Sequence, residues 1–205
     1  MTTYNLYNGD LPDNLVLGNE IAIDTEALGL NNFRDRLCLV QLTDGNGDVH
    51  MVHFDSNDYT HSPNLVKLLT DDSKLKIMHF ARFDMAILEK SFNIEINNVY
   101  CTKIASKIAR TYTDTHGLKV LIREVFGIDV SKREQCSYWG GNINEEQLKY
   151  AANDVLYLHG IKKYLDNILI KEGRMEYAQE CFKFLKTRVK LDLNGWLDID
   201  IFAHQ

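Results

Sequence analysis

Asp24 and Glu26 stand two residues apart in Glu20–Glu26 (EIAIDTE), behind the apolar Ile21, Ala22 and Ile23. The period of a strand turns Ile21 and Ile23 to one face and Ala22, Asp24 and Glu26 to the other. Two carboxylates that close beside a core repel by about 4 kcal/mol at an effective dielectric near 20. A fold tolerates this when a cation sits between them; the plainer alternative is a strand end with solvated acids. A third acid, Asp84, follows the run Lys76–Phe80 and falls in the first turn of a helix beginning near Ala81, where the helix dipole favours negative charge. A fourth, Asp154, lies four residues after Tyr150, so phenol and carboxylate share one helix face. The small Ala151 and Ala152 beside them permit close packing. Each element alone has an ordinary structural explanation. Together they offer a set of oxygen ligands for hard cations.

The elements that must position these acids can be read from turn and cap signals. Glu20–Glu26, Leu37–Leu42 and Val49–Phe54 read as strands, the last two separated by the strong turn Asp44-Gly45-Asn46-Gly47. Three antiparallel strands are therefore expected to open the fold. Ser62-Pro63 predicts a helix start with Pro at the first position. Leu75–Phe80 predicts a short buried strand leading into the helix that carries Asp84. Further helices are expected over Thr102–Arg110 and over Leu118–Phe126, the latter stopped by Gly127. Asn144 with Gln147 has the form of a capping box. It should open one long helix from Leu148 to Leu165, ended by Gly173, with another helix from Met175 to about Lys190. Strands first, then strands and helices mixed, predict an α/β fold with a mixed β-sheet flanked by α-helices.

The chain has 205 residues, 45% of them hydrophobic, which suits one domain with a full core. No linker, repeat or low-complexity stretch interrupts it, and the expectation is a single domain over residues 1–205. The net charge of −6 excludes a strongly basic nucleic-acid coat. It is compatible with an enzyme whose carboxylates are balanced by metal. Four scattered cysteines without a C-x-x-C pair, a polar N-terminus and no apolar run of about 18 residues predict a reduced, cytoplasmic protein without membrane contact. His50 and His53 have odd spacing on a strand and face opposite ways, which argues against a zinc site. Residues 103–133 hold seven basic and three acidic side chains. Lys103, Lys107 and Arg110 on one helix face could steer phosphate or simply be solvated.

The acids and their surroundings, in this order, resemble the DEDDy 3′→5′ exonucleases, and within them the ribonuclease D-like group. The likeness is carried by Asp24-Thr25-Glu26 with Leu28-Gly29-Leu30, by His79 to Asp84, by Gly117-Leu118-Lys119-x-Leu121, by Lys132, Gln135, Ser137 and Trp139, and by Gln147 to Leu158. Tyr138 departs from the Asp that the wider group usually has there. The resemblance implies an RNase H-like exonuclease fold and two divalent cations, Mg²⁺ or Mn²⁺, held by Asp24, Glu26, Asp84 and Asp154. These would activate water and stabilise the attacking and leaving oxygens of an in-line displacement. Tyr150 would orient the attacking water, since a phenol with a pKa of about 10 is a poor base at neutral pH. Thr25, Leu28, Leu30, His79, Phe83, Lys132 and Gln135 would contact substrate, with Leu30 wedged between the two terminal bases and Lys132 and Gln135 on a 5′ phosphate.

The run Arg34–Leu42 and the ending Leu191–His204 are most similar to a ring-forming branch of the group that degrades diribonucleotides. Likeness to that branch implies short RNA as substrate and a homo-oligomer, an octameric ring among the forms, with residues 191–205 as an irregular tail making subunit contacts. Trimming of longer RNA such as tRNA 3′ ends, action on DNA, and an inactive RNA-binding module stay open as alternatives.

Overall fold

A computed structural model describes residues 2–130 and 137–204. One mixed six-stranded sheet has the spatial order β1-β4-β3-β2-β5-β6. Its strands are β1 (Thr3–Asn8), β2 (Glu20–Ala27), β3 (Leu37–Thr43), β4 (Asp48–His53), β5 (Leu75–Met78) and β6 (Val99–Cys101). The helices are α1 (Pro63–Thr70), α2 (Ala81–Phe92), α3 (Thr102–Ala109), α4 (Leu118–Phe126), α5 (Glu145–Leu156), α6 (Leu158–Lys171) and α7 (Met175–Leu191). The architecture is the expected sheet flanked by helices on both faces.

β2, β3 and β4 form the antiparallel core of the sheet. The turn between β3 and β4 uses Gly45 and Gly47 at φ 86° and 103°, a region that side chains disfavour. Two strands were not expected from the sequence. β1 pairs in parallel with β4 at one edge, and β6 pairs in parallel with β5 at the other. β6 has only three residues, too few to show a period, and β1 alternates polar Asn and Thr with Tyr and Leu at the surface.

Every residue of β3 is buried, as befits a central strand covered on both faces. Ile21, Ile23, Val40 and Leu42 pack against α1, α2 and the end of α7. Ala22, Leu39 and Ile77 pack on the opposite face with α3, α4, α5 and α6. β2 thus turns its two isoleucines to one core and Ala22 to the other, the alternation predicted for it.

The long helix expected from Asn144 is two helices. The chain breaks at Tyr157, which caps both α5 and α6. The Phe126 ring, from the end of α4, packs on Tyr157 at 5.2 Å. It fills the space a side chain at Gly160 would need, for a Cβ there would lie 2.5 Å from Phe126 Cζ. The joint is therefore clamped by α4, a tertiary contact that the helical period of the sequence cannot show. The C-terminal stretch begins more regularly than the irregular tail expected, and only beyond Trp196 does it run through turns. Asp192–Trp196 continues α7 as a π-helical turn with Gly195 at φ 102°. Asp192 is buried there between two arginines. Arg82 donates Nε and Nη2 to its carboxylate at 2.5 and 2.7 Å, and Arg188 donates Nε at 2.9 Å. Leu193 packs on the core beside α7. Beyond it Trp196, Leu197, Ile199, Ile201 and Phe202 are exposed.

Candidate active site

β2 presents Asp24 and Glu26 on the face that α5 covers. The fully buried Ala151 and Ala152 let α5 approach the sheet, and Asp154 arrives opposite the strand. One oxygen each from Asp24, Glu26 and Asp154 lie within 4.8 Å of one another. The start of α5 is fixed by the capping box foreseen from sequence. Gln147 N donates to Asn144 Oδ1 at 2.9 Å, and Asn144 N donates to Gln147 Oε1 at 3.1 Å. The Gln147 amide also reaches Ser137 Oγ and Tyr138 O. Tyr150 lies one turn before Asp154, its ring tilted against the buried Trp139 at 6.1 Å between centroids.

Asp84 comes from the other side. α2 packs on the core that holds Ile21 and Ile23, and Asp84 meets β2 through Thr25. Thr25 Oγ1 donates to Asp84 Oδ1 at 2.7 Å, both groups being buried. Thr25, expected to touch substrate, lines the cleft beside the acids and also donates its hydroxyl hydrogen bond to Asp84. The turn into α2 puts Phe80 at φ 66° and ψ 40°, left-handed for a non-glycine residue. Strain of this kind collects at functional sites. The exposed Phe80 ring lies under Lys103 Nζ, 4.1 Å from its centroid.

Charge repulsion and burial act together on the acids. Burial, then Asp154 and Asp84, push the Glu26 carboxyl up to about 9. Burial raises Asp154 to about 7. Burial also raises Asp84 to about 7, against hydrogen bonds from Thr25 and backbone amides that pull it down. Asp24 is half-buried, and desolvation, then Asp84, Asp154 and Glu26, hold it well above the ordinary carboxylate range. Among the described residues no lysine or arginine forms an ion pair with any of the four. Uncompensated carboxylates converging at this distance fit a divalent cation, whose ligands are hard oxygens. Asp84 stands outside the three-oxygen cluster and beside it.

Asp24, Glu26 and Asp154 open into a cleft of about 650 Å³. Leu28, Leu30, His79, Phe83 and Lys103 line it with them. Leu30 stands at the tip of a braced loop and is 88% exposed. Asp35 accepts from Asn31 N at 3.0 Å, Asn31 Oδ1 accepts from Phe33 N and Arg34 N, and Lys90 ties the loop to α2. Gly29 leaves room there for the Asp35 carboxylate, since a Cβ would come within 2.2 Å of Asp35 Oδ2 and push it from its place. His79 Nδ1 is 2.9 Å from Thr102 Oγ1, and burial with nearby Lys103 lowers its pKa to about 3, so it is neutral.

Of the other residues expected to act, Lys132 and Gln135 lie outside the described residues. Arg110 does not face phosphate with Lys103. It is buried, donates to Glu124, Ser106 and the carbonyl of Thr115, and braces α3 against α4. Helical spacing alone could not reveal that Glu124 waits on the inner side. Gln41, which sequence reasoning passed over, is fully buried and donates Nε2 to Asp24 Oδ2 at 2.7 Å. Its signal was present: a polar residue inside an otherwise apolar strand.

A family model described as 3′-5′ exonuclease matches residues 10–170. Ribonuclease D of Granulibacter bethesdensis is 29% identical over 162 residues, 78% of this chain and 40% of that protein. The chain thus spans well under half the length of that relative. The structure of Brucella melitensis NrnC bound to pGG is 47% identical, covers 100% of both chains and superposes with a TM-score of 0.93. The same protein with bound Mg²⁺ gives 47% identity and a TM-score of 0.92 over the full length of both.

Proposed function

The chain belongs to the 3′-5′ exonuclease family, and from that premise we propose that it degrades short oligoribonucleotides, ideally diribonucleotides, to nucleoside 5′-monophosphates. It is a hydrolase of phosphodiester bonds that uses divalent metal; the proposal concerns substrate, metal count and the part each residue plays. The observation that carries it is a single cleft joining the carboxylate cluster to the exposed Leu30 on a braced loop. A cleft of this volume suits a ligand of drug size, which a dinucleotide is and a folded RNA is not. Full-length likeness to a nuclease captured with pGG supports the same reading.

Asp24, Glu26 and Asp154 would hold one cation, and Asp84 with Asp24 a second, Mg²⁺ or Mn²⁺. When bound, such ions supply activated water and charge stabilisation at the phosphate. Water attacks phosphorus, the P–O3′ bond breaks, and the terminal nucleotide leaves with its phosphate while the remaining chain keeps a 3′-hydroxyl. Tyr150, one turn from Asp154, orients the attacking water through its hydroxyl. Leu30 separates the two bases, Leu28 and Phe83 wall the terminal nucleoside, and His79 and Lys103 face it with a neutral and a cationic group. Thr25 keeps Asp84 in place. The reading treats residues 1–205 as one exonuclease domain. The exposed apolar residues beyond Asp192 then serve contact between copies in a ring. No helix among the described residues is long and apolar enough to cross a membrane.

The test is purified protein with Mn²⁺ on 5′-labelled RNA and DNA of graded length, from dinucleotides to about 20-mers. Catalytic efficiency is expected to be highest on diribonucleotides and to fall with length. A steady rise with length would favour the alternative reading, trimming of longer RNA.

A further inference from the structure

Gln41 lies in the middle of β3, a strand otherwise built of Leu, Cys, Val and Thr. Its register partner on β2 is Asp24. The side chain is wholly buried on the sheet face that carries the acids. Nε2 donates to Asp24 Oδ2 at 2.7 Å, while Oε1 is buried without a hydrogen-bond partner among the described residues. A buried carbonyl without a partner destabilises a fold, and an apolar side chain of the same size would remove the problem. Packing therefore does not account for a glutamine here; the donor end does.

We propose that Gln41 is a positioning residue for the metal site, fixing the plane of the Asp24 carboxylate while leaving the negative charge of the cluster intact. The choice of a neutral donor follows from what the site must do. A lysine or arginine in this place would also hold Asp24, but its charge would compete with a divalent cation for the same carboxylate. The amide of Gln41 orients one oxygen without neutralising it. Without that donor the Asp24 carboxylate keeps only the backbone amide of Thr25 to orient it, and a cation must complete its ordering on binding. Outer-shell groups that orient ligands typically change metal affinity by about 10- to 100-fold. Asp24 is the acid on which the effect should be largest, because among the described residues it is the one of the four acids to which Gln41 donates.

This inference rests on the metal-dependent reading above, and direct metal binding separates the two. Metal-free protein and its Gln41→Met variant are titrated with Mn²⁺ by calorimetry, without RNA. Met keeps the length and much of the volume of Gln and loses both polar ends. The expected result is a folded variant whose Mn²⁺ affinity is about tenfold weaker. Its half-saturating Mn²⁺ concentration in turnover rises in step, while KM for dinucleotide at saturating Mn²⁺ is unchanged. Should Gln41→Met not fold, Gln41→Leu serves the same purpose and is expected to show the same loss. A folded variant that binds Mn²⁺ as tightly as the parent overturns the assignment and leaves Gln41 a packing residue. A parent protein that binds no Mn²⁺ overturns the metal reading itself, whatever the variants do.

Discussion

Two carboxylate sites in this chain, one buried and one half-buried, are built on opposite principles. At the end of α7, Asp192 is 2% exposed and receives both Arg82 and Arg188. Across the sheet, Asp24, Glu26 and Asp154 converge with no cation paired to them among the described residues. The first site is complete in the polypeptide and holds a turn in place. The second leaves its charge uncompensated and strained against burial, as a site must if the balancing cations are to come from solution. A buried charge that is fully paired speaks for architecture; one left unpaired speaks for a ligand.

The comparison is broken most directly at its catalytic side. Asp24→Asn keeps shape and removes one charge from the cluster. Turnover on dinucleotides is expected to fall by roughly 10⁴-fold, the scale seen when a group central to catalysis is lost. The melting temperature of metal-free protein should hold or rise, because repulsion is relieved. A variant that loses activity in proportion to stability would mean that Asp24 is structural. At the other site the signs reverse. Asp192→Ala leaves two arginines facing each other without their acid, a change that costs about 3 kcal/mol in comparable buried pairs. Urea denaturation should show that loss, with activity per folded molecule nearly unchanged.

Acid titration sharpens the contrast. Glu26 titrates near 9 and Asp84 and Asp154 near 7 in the folded protein, against roughly 4 for unfolded carboxylates. The folded state therefore binds more protons than the unfolded state between about pH 4 and pH 9. Stability must fall as pH rises through that window, with the contribution fully present only below about 4. Metal-free protein should melt at higher temperature at pH 5.5 than at pH 8.5. Saturating Mn²⁺ or Mg²⁺ should reduce or reverse the difference, because cations favour the ionised acids. An equal pH slope with and without metal would detach these pKa values from the cation site.

What could be read from sequence follows from the range of the forces involved. The Asp24–Glu26 face, the Tyr150–Asp154 turn and the Asn144–Gln147 cap are local, set by period and short-range hydrogen bonds. Arg110 and Glu124 lie fourteen residues apart on different helices, so Arg110 read as a surface charge although it is buried. The break at Tyr157 depends on Phe126, and the Arg82–Asp192 pair spans 110 residues. Gln41 was visible as an oddity in its strand, but its partner became evident only once the β2–β3 register was known. The relation of Asp84 to the cluster likewise needed the fold, since it reaches β2 from the opposite face through Thr25.

The smallest effect is expected at Leu30, and it is the most selective. The side chain is 88% exposed and contributes nothing to the core, so Leu30→Ala should leave the melting temperature unchanged. Its loop is held by Asn31, Asp35 and Lys90 through atoms that the substitution does not touch. What is removed is apolar area available only to a base entering the cleft. Losing most of a leucine side chain from such a contact costs about 1.5 kcal/mol, or roughly tenfold in kcat/KM. On a dinucleotide the wedge is a large share of all contacts, so the full loss should appear. A longer RNA draws on further phosphate contacts outside the cleft, and the relative loss should shrink as length grows. Measured side by side on 2- and 10-nucleotide RNA, the parent-to-variant ratio should therefore be larger for the shorter substrate. Equal ratios at both lengths would reduce Leu30 to a solvent-exposed loop residue and remove the geometric ground for a preference for dinucleotides.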